Sequence, residues 1–252
     1  MLLHGLSGSR LAWEPQLAGL ASEWRVVAWD QPGYGASAPL DEPPTFAGLA
    51  AAVLELLDDL GAPRAHLVGL SFGGMVAQYT ALAHPDRLAS LSLLSTSPAF
   101  GLDGTTPEEW RAARLAPLDA GQEPGDFAAE VLAAIAGPDI SAAALRGQVA
   151  AMERVSGDAL RGSIDCLITH DTRADLDRIA TPTLVVVGEL DAETPVEYAR
   201  ALADPIPGAR LKVLSGVGHL VNVEAPGRVN SLLRAHLRAA QGEPAAAPEV
   251  AR

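Results

Sequence analysis

Leu67-Val68-Gly69-Leu70-Ser71-Phe72-Gly73-Gly74 decides how this chain folds: a short apolar run ends in Gly-x-Ser-x-Gly and passes at once into helix-forming sequence. Residues 65–68 read as a buried strand, and residues 75–83 carry apolar side chains at helical spacing. A strand that turns sharply into a helix follows. Gly69 and Gly73 permit the tight turn and leave room for neighbouring elements, so the Ser71 hydroxyl stands at its tip as a candidate nucleophile. The pentapeptide is a weak signal by itself and could be an ordinary turn; the strand before it and the helix after it give it meaning.

Upstream, residues 1–5 look like the tail of a buried strand entering the loop Leu6-Ser7-Gly8-Ser9, and residues 11–20 place Trp13, Leu17 and Leu20 at helical spacing. The β-branched run 25–29 is expected as the next strand. Gly33-x-Gly35-x-x-Ala38 resembles a dinucleotide fingerprint, but Pro39, Pro43 and Pro44 cannot open the helix that a pyrophosphate needs. The nucleotide reading is set aside. Residues 46–60 form an apolar helix closed by Gly61 and Pro63, and residues 88–95 a further strand. Short buried strands alternating with helices imply an α/β fold, a mostly parallel sheet covered on both faces.

Between residues 97 and 177 strand-like runs give way to Ala-rich helical segments at 110–118, 127–136, 142–155 and 159–168, punctuated at Pro124-Gly125 and Gly137-Pro138. The expected organisation is a core of residues 1–96 and 178–241, a helical cap or lid over 97–177, and a disordered tail over 242–252. Alternation resumes with strand 183–188, helix 195–202, strand 211–214 and helix 226–237.

Charge and composition narrow the partners. The chain has 252 residues, enough for one large domain with an insertion, and a formal net charge of −13, which disfavours nucleic acid and anionic membrane surfaces. Its single cysteine, Cys166, excludes an internal disulfide, and Cys166-x-x-x-His170 lacks further metal ligands. No apolar run approaches the ~20 residues of a membrane span. A cytoplasmic protein acting on a small molecule, with neither metal nor cofactor, is expected.

A serine hydroxyl needs a base to accept its proton and an acid to orient that base. Asp191 lies just past the strand 183–188 and His219 just past the strand 211–214, so a parallel sheet would bring both to the edge where Ser71 emerges. Glu189 and Glu193 remain alternative acids. Oxyanion donors are expected from the backbone N–H of Phe72, at the turn itself, and of Leu6, in the loop after the first strand.

With these residues assembled, the chain resembles the α/β-hydrolase superfamily through His4-Gly5, Asp30-x-x-Gly33-x-Gly35-x-Ser37, Gly69-x-Ser71-x-Gly73, Gly188-x-x-Asp191 and Gly218-His219, in the order Ser, Asp, His. Within it, Trp13-x-Pro15-Gln16, the stretch 69–78 and Trp110-x-x-x-Arg114 resemble the 3-oxoadipate enol-lactonase group. That resemblance implies a serine hydrolase of a small ester or lactone carrying a carboxylate, with Trp110, Arg114 and then Arg111 as substrate-binding candidates. The alternatives it leaves are a carbon–carbon bond hydrolase of dienoic diketones and a non-catalytic small-ligand receptor. The superfamily usually carries two further strands before its His-Gly loop, and this sequence begins too late to hold them. The expected consequence is that the strand 25–29 forms an exposed sheet edge.

Overall fold

The computed structural model describes residues 1–242, so the expected tail over 242–252 lies, but for Gly242, outside the described residues. In chain order the elements are β1 (Leu2–Leu3), α1 (Glu14–Leu20), α2 (Phe46–Asp59), β2 (Ala65–Leu70), α3 (Phe72–Ala83) and β3 (Leu88–Leu94). Then come α4 (Pro107–Asp119), α5 (Pro124–Ile135), α6 (Ala142–Met152), α7 (Gly157–Leu167), β4 (Thr183–Gly188), α8 (Val196–Ala203), β5 (Arg210–Leu214), α9 (Val221–Glu224) and α10 (Pro226–Ala240).

The five strands lie side by side in sequence order, every neighbouring pair parallel. Because side chains alternate along a strand, Leu67, Leu91, Leu93, Val185 and Val187 pack on one face against Phe46 and Val53 of α2, Val76 of α3 and Leu202 of α8. Val68, Leu70, Leu94, Leu184 and Val186 pack on the other against Leu20 of α1 and Val229, Leu233 and Leu237 of α10. Both faces are buried, which is why these strands read as continuous apolar runs rather than alternating ones. All carboxyl ends share one edge, where the loops carrying Gly5, Ser71, Asp191 and His219 leave the sheet.

The helices α4 to α7 build a third apolar cluster from Leu115, Leu118, Leu132, Met152, Leu160 and Ile164, closed by Tyr34, Leu220 and Val223 from the loops below. Helix α5 begins three residues earlier than its periodicity predicts. Pro124 is its first-turn residue rather than a break, and Glu123 and Asp126 form a capping box around it.

The segment 25–29 corrects an expectation. It forms no strand, only one parallel bridge between Ala28 and Leu2, with Leu2 N donating to Val27 O at 2.8 Å and Trp29 N to Leu2 O at 3.2 Å. Of the two residues of β1, both pair with β2, but only Leu2 bridges to this segment. Among the described residues it has a sheet neighbour on one side alone. No helix among the described residues is long and apolar enough to cross a membrane.

Candidate active site

Ser71 sits between β2 and α3 with φ 52° and ψ −119°, a conformation that a non-glycine residue keeps only when its surroundings impose it. They do. A Cβ on Gly69 would run into the backbone of Gly73, and one on Gly73 into the carbonyls of Leu3 and His4, so β1, β2 and α3 touch without side chains between them. Ser71 N donates to Leu94 O at 2.9 Å, and Thr96 Oγ1 donates to Ser71 O at 2.8 Å, pinning the turn from β3.

Asp191 and His219 are buried and in contact. His219 Nδ1 lies 2.9 and 3.0 Å from the two Asp191 carboxylate oxygens, which makes Nδ1 the protonated nitrogen and leaves Nε2 able to accept a proton. Asp191 also accepts from the N–H of Glu193 (3.0 Å) and Thr194 (2.9 Å) and from the Thr194 hydroxyl (2.9 Å). Burial opposes its ionisation, yet the imidazole beside it and these donors hold its pKa below the usual carboxylate value. For His219, burial pulls the pKa down while the Asp191 charge and hydrogen bond, then Glu193 and Glu224, push it up; the net shift is upward.

The alternative acids are engaged elsewhere. Glu189 accepts from Ser215 Oγ (2.7 Å) and Gly216 N (3.0 Å) in an exposed turn, and Glu193 pairs with Arg114. Asp191 alone contacts the imidazole as a carboxylate within bonding distance.

Ser71 and His219 line the same two adjoining cavities, of about 80 and 100 Å³, although no hydrogen bond joins their side chains among the described residues. Such bonds are often long in an unliganded site and tighten with substrate. The N–H of Leu6 makes no hydrogen bond among the described residues, and that of Phe72, first in α3, has no partner within its helix. Both are free to donate.

The loop carrying Leu6 is fixed by two residues that the sequence motifs contain but do not assign. Gln31 N donates to His4 Nε2 at 3.0 Å, so the opposite nitrogen, Nδ1, carries the proton and donates to Gly5 O at 2.8 Å. Burial holds His4 neutral, with a pKa pulled down to about 4. The buried Tyr34 hydroxyl donates to Leu6 O at 3.0 Å. Asp30 explains the rest of its motif: it accepts from Arg10 N (2.8 Å) and Ala36 N (3.2 Å) and pairs with the Arg10 side chain, locking one loop against another.

Glu224, at the end of α9, is a second unassigned contributor. Its carboxylate accepts from Gly218 N (2.7 Å) and Leu220 N (2.9 Å), which flank His219, and from Gly137 N (3.0 Å) above them. His219 N itself donates to Ile135 O at 3.0 Å. The histidine loop is thus tied to the end of α5.

Of the three substrate-binding candidates, two line the cavities. Trp110 borders both, and Arg114, one helical turn on, lies 5.2 Å from the Trp110 ring centre with its Nη2 2.9 and 2.7 Å from the Glu193 oxygens. Arg111 is the correction: it points away and pairs with Asp165 of α7 at 2.5 Å, because on a helix residues 110 and 114 share a face and residue 111 does not. Among the described residues no three potential metal ligands cluster.

The sequence matches the α/β hydrolase fold family over residues 1–226. A protein of Caulobacter sp. strain K31, provisionally named carbamate hydrolase RutD, is 33% identical over 92% of this chain and 87% of its own. The pimeloyl-[acyl-carrier protein] methyl ester esterase of Chromobacterium violaceum is 34% identical over 86% of this chain and 83% of its own. Among solved structures, the enol-lactonase of Burkholderia xenovorans LB400 superposes with a TM-score of 0.83 at 27% identity, covering 94% of this chain and 89% of that one. Fold, motif order and sequence agree: the chain belongs to the α/β-hydrolase family.

Proposed function

We propose that the protein is a serine hydrolase of small esters or lactones, working through an acyl-enzyme. The observation that carries this is the His219–Asp191 contact at 2.9 Å beside a strained Ser71 on a shared cavity. Ser71 Oγ attacks the carbonyl carbon while His219 Nε2 takes its proton, and the N–H groups of Leu6 and Phe72 receive the oxyanion. His219 then gives the proton to the departing alcohol oxygen, the C–O bond breaks, and an acyl-serine remains. Water, deprotonated by the same imidazole, adds to that ester and releases the acid.

The names of the relatives, an ester hydrolase, an enol-lactonase and a carbamate hydrolase, share attack on an acyl carbonyl. A carboxylate-bearing enol-lactone, the narrower expectation, would need Arg114 as its anion partner. Arg114 already has Glu193 for a partner, so the charge balance favours an uncharged ester or lactone.

Turnover of p-nitrophenyl acetate and covalent labelling by a fluorophosphonate are expected of the native enzyme and lost in Ser71→Ala. Undiminished activity in that variant would remove Ser71 from the chemistry.

A further inference from the structure

Gln148, on α6, is 5% exposed and lines the smaller cavity beside Ser71. Three other glutamines are buried, and the amide nitrogen of each is bonded, although Gln16 Oε1 and Gln31 Oε1 have no partner among the described residues: Gln16 Nε2 donates to Asn222 O at 2.9 Å, Gln31 Nε2 to Ser163 Oγ at 2.8 Å, and Gln78 Nε2 to Ser97 O at 2.9 Å. Gln148 differs. Its side-chain amide makes no hydrogen bond among the described residues, and neither amide atom is sealed inside the protein, on a residue that lines the cavity. An amide stripped of protein partners and walled by Leu6, Val131, Leu132, Ile135 and Leu220 is costly unless a ligand or solvent satisfies it.

The charges nearby add a constraint. The ionised side chains on that cavity wall are Arg114 and Glu193, which neutralise each other. Beyond Ser71, His219 and that ion pair, the polar side chains on the wall are Gln148, Ser7 and the Trp110 indole, so the cavity offers neutral dipoles, of which the amide can both donate and accept, and no unbalanced charge. A substrate carboxylate or ammonium there would lose its hydration for neutral partners alone.

We infer that Gln148 is a specificity-determining residue, and that the substrates are small uncharged esters or lactones carrying, away from the reacting carbonyl, an uncharged hydrogen-bonding group such as an amide, a carbonyl or a hydroxyl. This rests on the serine-hydrolase reading above and names its substrate class. A site built to bond a polar group discriminates strongly against the analogue that lacks it, because the protein's own buried group is then left unpaired.

Two isosteric pairs test it: the p-nitrophenyl ester of N-acetyl-β-alanine against its all-hydrocarbon isostere, and the acetate ester of N-acetylethanolamine against its own. They place the amide on the acyl and alcohol sides in turn. In the native enzyme kcat/KM for the amide-bearing member of at least one pair should exceed that of its isostere by about 10-fold or more. Gln148→Met, unbranched and of similar volume, should erase that preference, and Gln148→Leu serves as a second variant if its thermal unfolding shows the first to be misfolded. Native enzyme without preference for either amide, or a preference unchanged in a folded variant, would overturn the inference while leaving the hydrolase reading intact. Native enzyme that neither turns over p-nitrophenyl acetate nor takes the fluorophosphonate label would remove that reading, and this inference with it.

Discussion

The carboxyl edge of the sheet and the helical wall above it are held together by different physics. At the edge, backbone meets backbone: a Cβ on Gly188 would overlap the carbonyls of Val217 and Gly218, and one on Gly218 would overlap Ala136 and Gly137. Asp191 and His219 are buried there among several hydrogen bonds, where losing one partner strands another. The wall is joined through side chains at the surface. Arg111–Asp165, Arg114–Glu193 and Arg161–Asp119 are each a third or more exposed on at least one partner, and pairs of that kind contribute about 0–1 kcal/mol. The edge leaves little freedom to whatever chemistry occurs there, whereas the wall's surface ion pairs can be altered at little cost, away from the end of α5 that holds the histidine loop.

The sharpest way to break this contrast is at the edge. Asp191→Asn keeps the shape but offers only one strong acceptor where five contacts now converge, and it favours the wrong imidazole tautomer. A loss of kcat of about 10³–10⁴-fold is expected, with the fold retained by circular dichroism. A loss below tenfold would mean that His219 is oriented by something else. Glu224→Ala comes next. It strands the N–H groups of Gly137, Gly218 and Leu220, each costing about 1–3 kcal/mol if water does not reach it, and frees the loop that carries His219. The expected readouts are a lower unfolding temperature and a kcat reduced about 10–100-fold with KM little changed. Tyr34→Phe should be milder, about 1 kcal/mol in stability, with a kcat loss within tenfold as the Leu6 loop loses one anchor.

These residues also mark how far the sequence could be read. Ser71, Asp191 and His219 were legible because a parallel sheet brings strand ends to one edge, and a five-residue turn announces the first of them. Arg114 and Trp110 were legible in position, by the turn of a helix, but not in pairing: Glu193 is 79 residues from Arg114, and no local pattern links them. Glu224, Tyr34 and Gln148 were missed for a related reason. Tyr34 and Gln148 act on a loop and a cavity assembled from distant segments; Glu224 bonds mainly to its own loop, but neither a half-buried carboxylate at the end of a one-turn helix nor an amide in an Ala-rich helix has a periodic signature. The segment 25–29 erred in the opposite direction: its β-branched composition is real, but propensity makes a strand only where a neighbour's backbone pairs with it, and here that pairing stops at one bridge.

Acidification separates stability from activity. His4 and His170 are buried with pKa values pulled down by burial to about 4, below the 6.5 of an exposed imidazole. The unfolded chain therefore binds protons that the folded one refuses, so the stability these two contribute is present above pH 6.5 and is lost as pH falls from there toward 4, on the order of 3 kcal/mol each. His219 works in the other direction, since its raised folded pKa adds stability at low pH that fades as pH rises through that value. A net drop in unfolding midpoint between pH 6.5 and 4 is expected by thermal denaturation; a flat profile would mean that protonating these two histidines costs the fold no more than His219 returns.

The smallest expected effect connects the two regions. With neutral His219 as the proposed base, kcat/KM should fall as pH drops through its folded pKa, and the raised value places that limb above 6.5. Glu193 belongs to the wall's ion pair yet is one of the charges raising His219, after Asp191. Glu193→Gln removes that contribution, and the acid limb should move down by less than one pH unit. Arg114→Met takes away the counter-charge while leaving Glu193 in place, so the limb should move up by a similar amount. Opposite displacements, with kcat on the alkaline plateau nearly constant in both, would mean that the Arg114–Glu193 pair touches the chemistry only through its charge. Displacement in the same direction would mean instead that breaking the pair shifts the loop between Asp191 and Thr194, and that the wall helps to hold the edge in place.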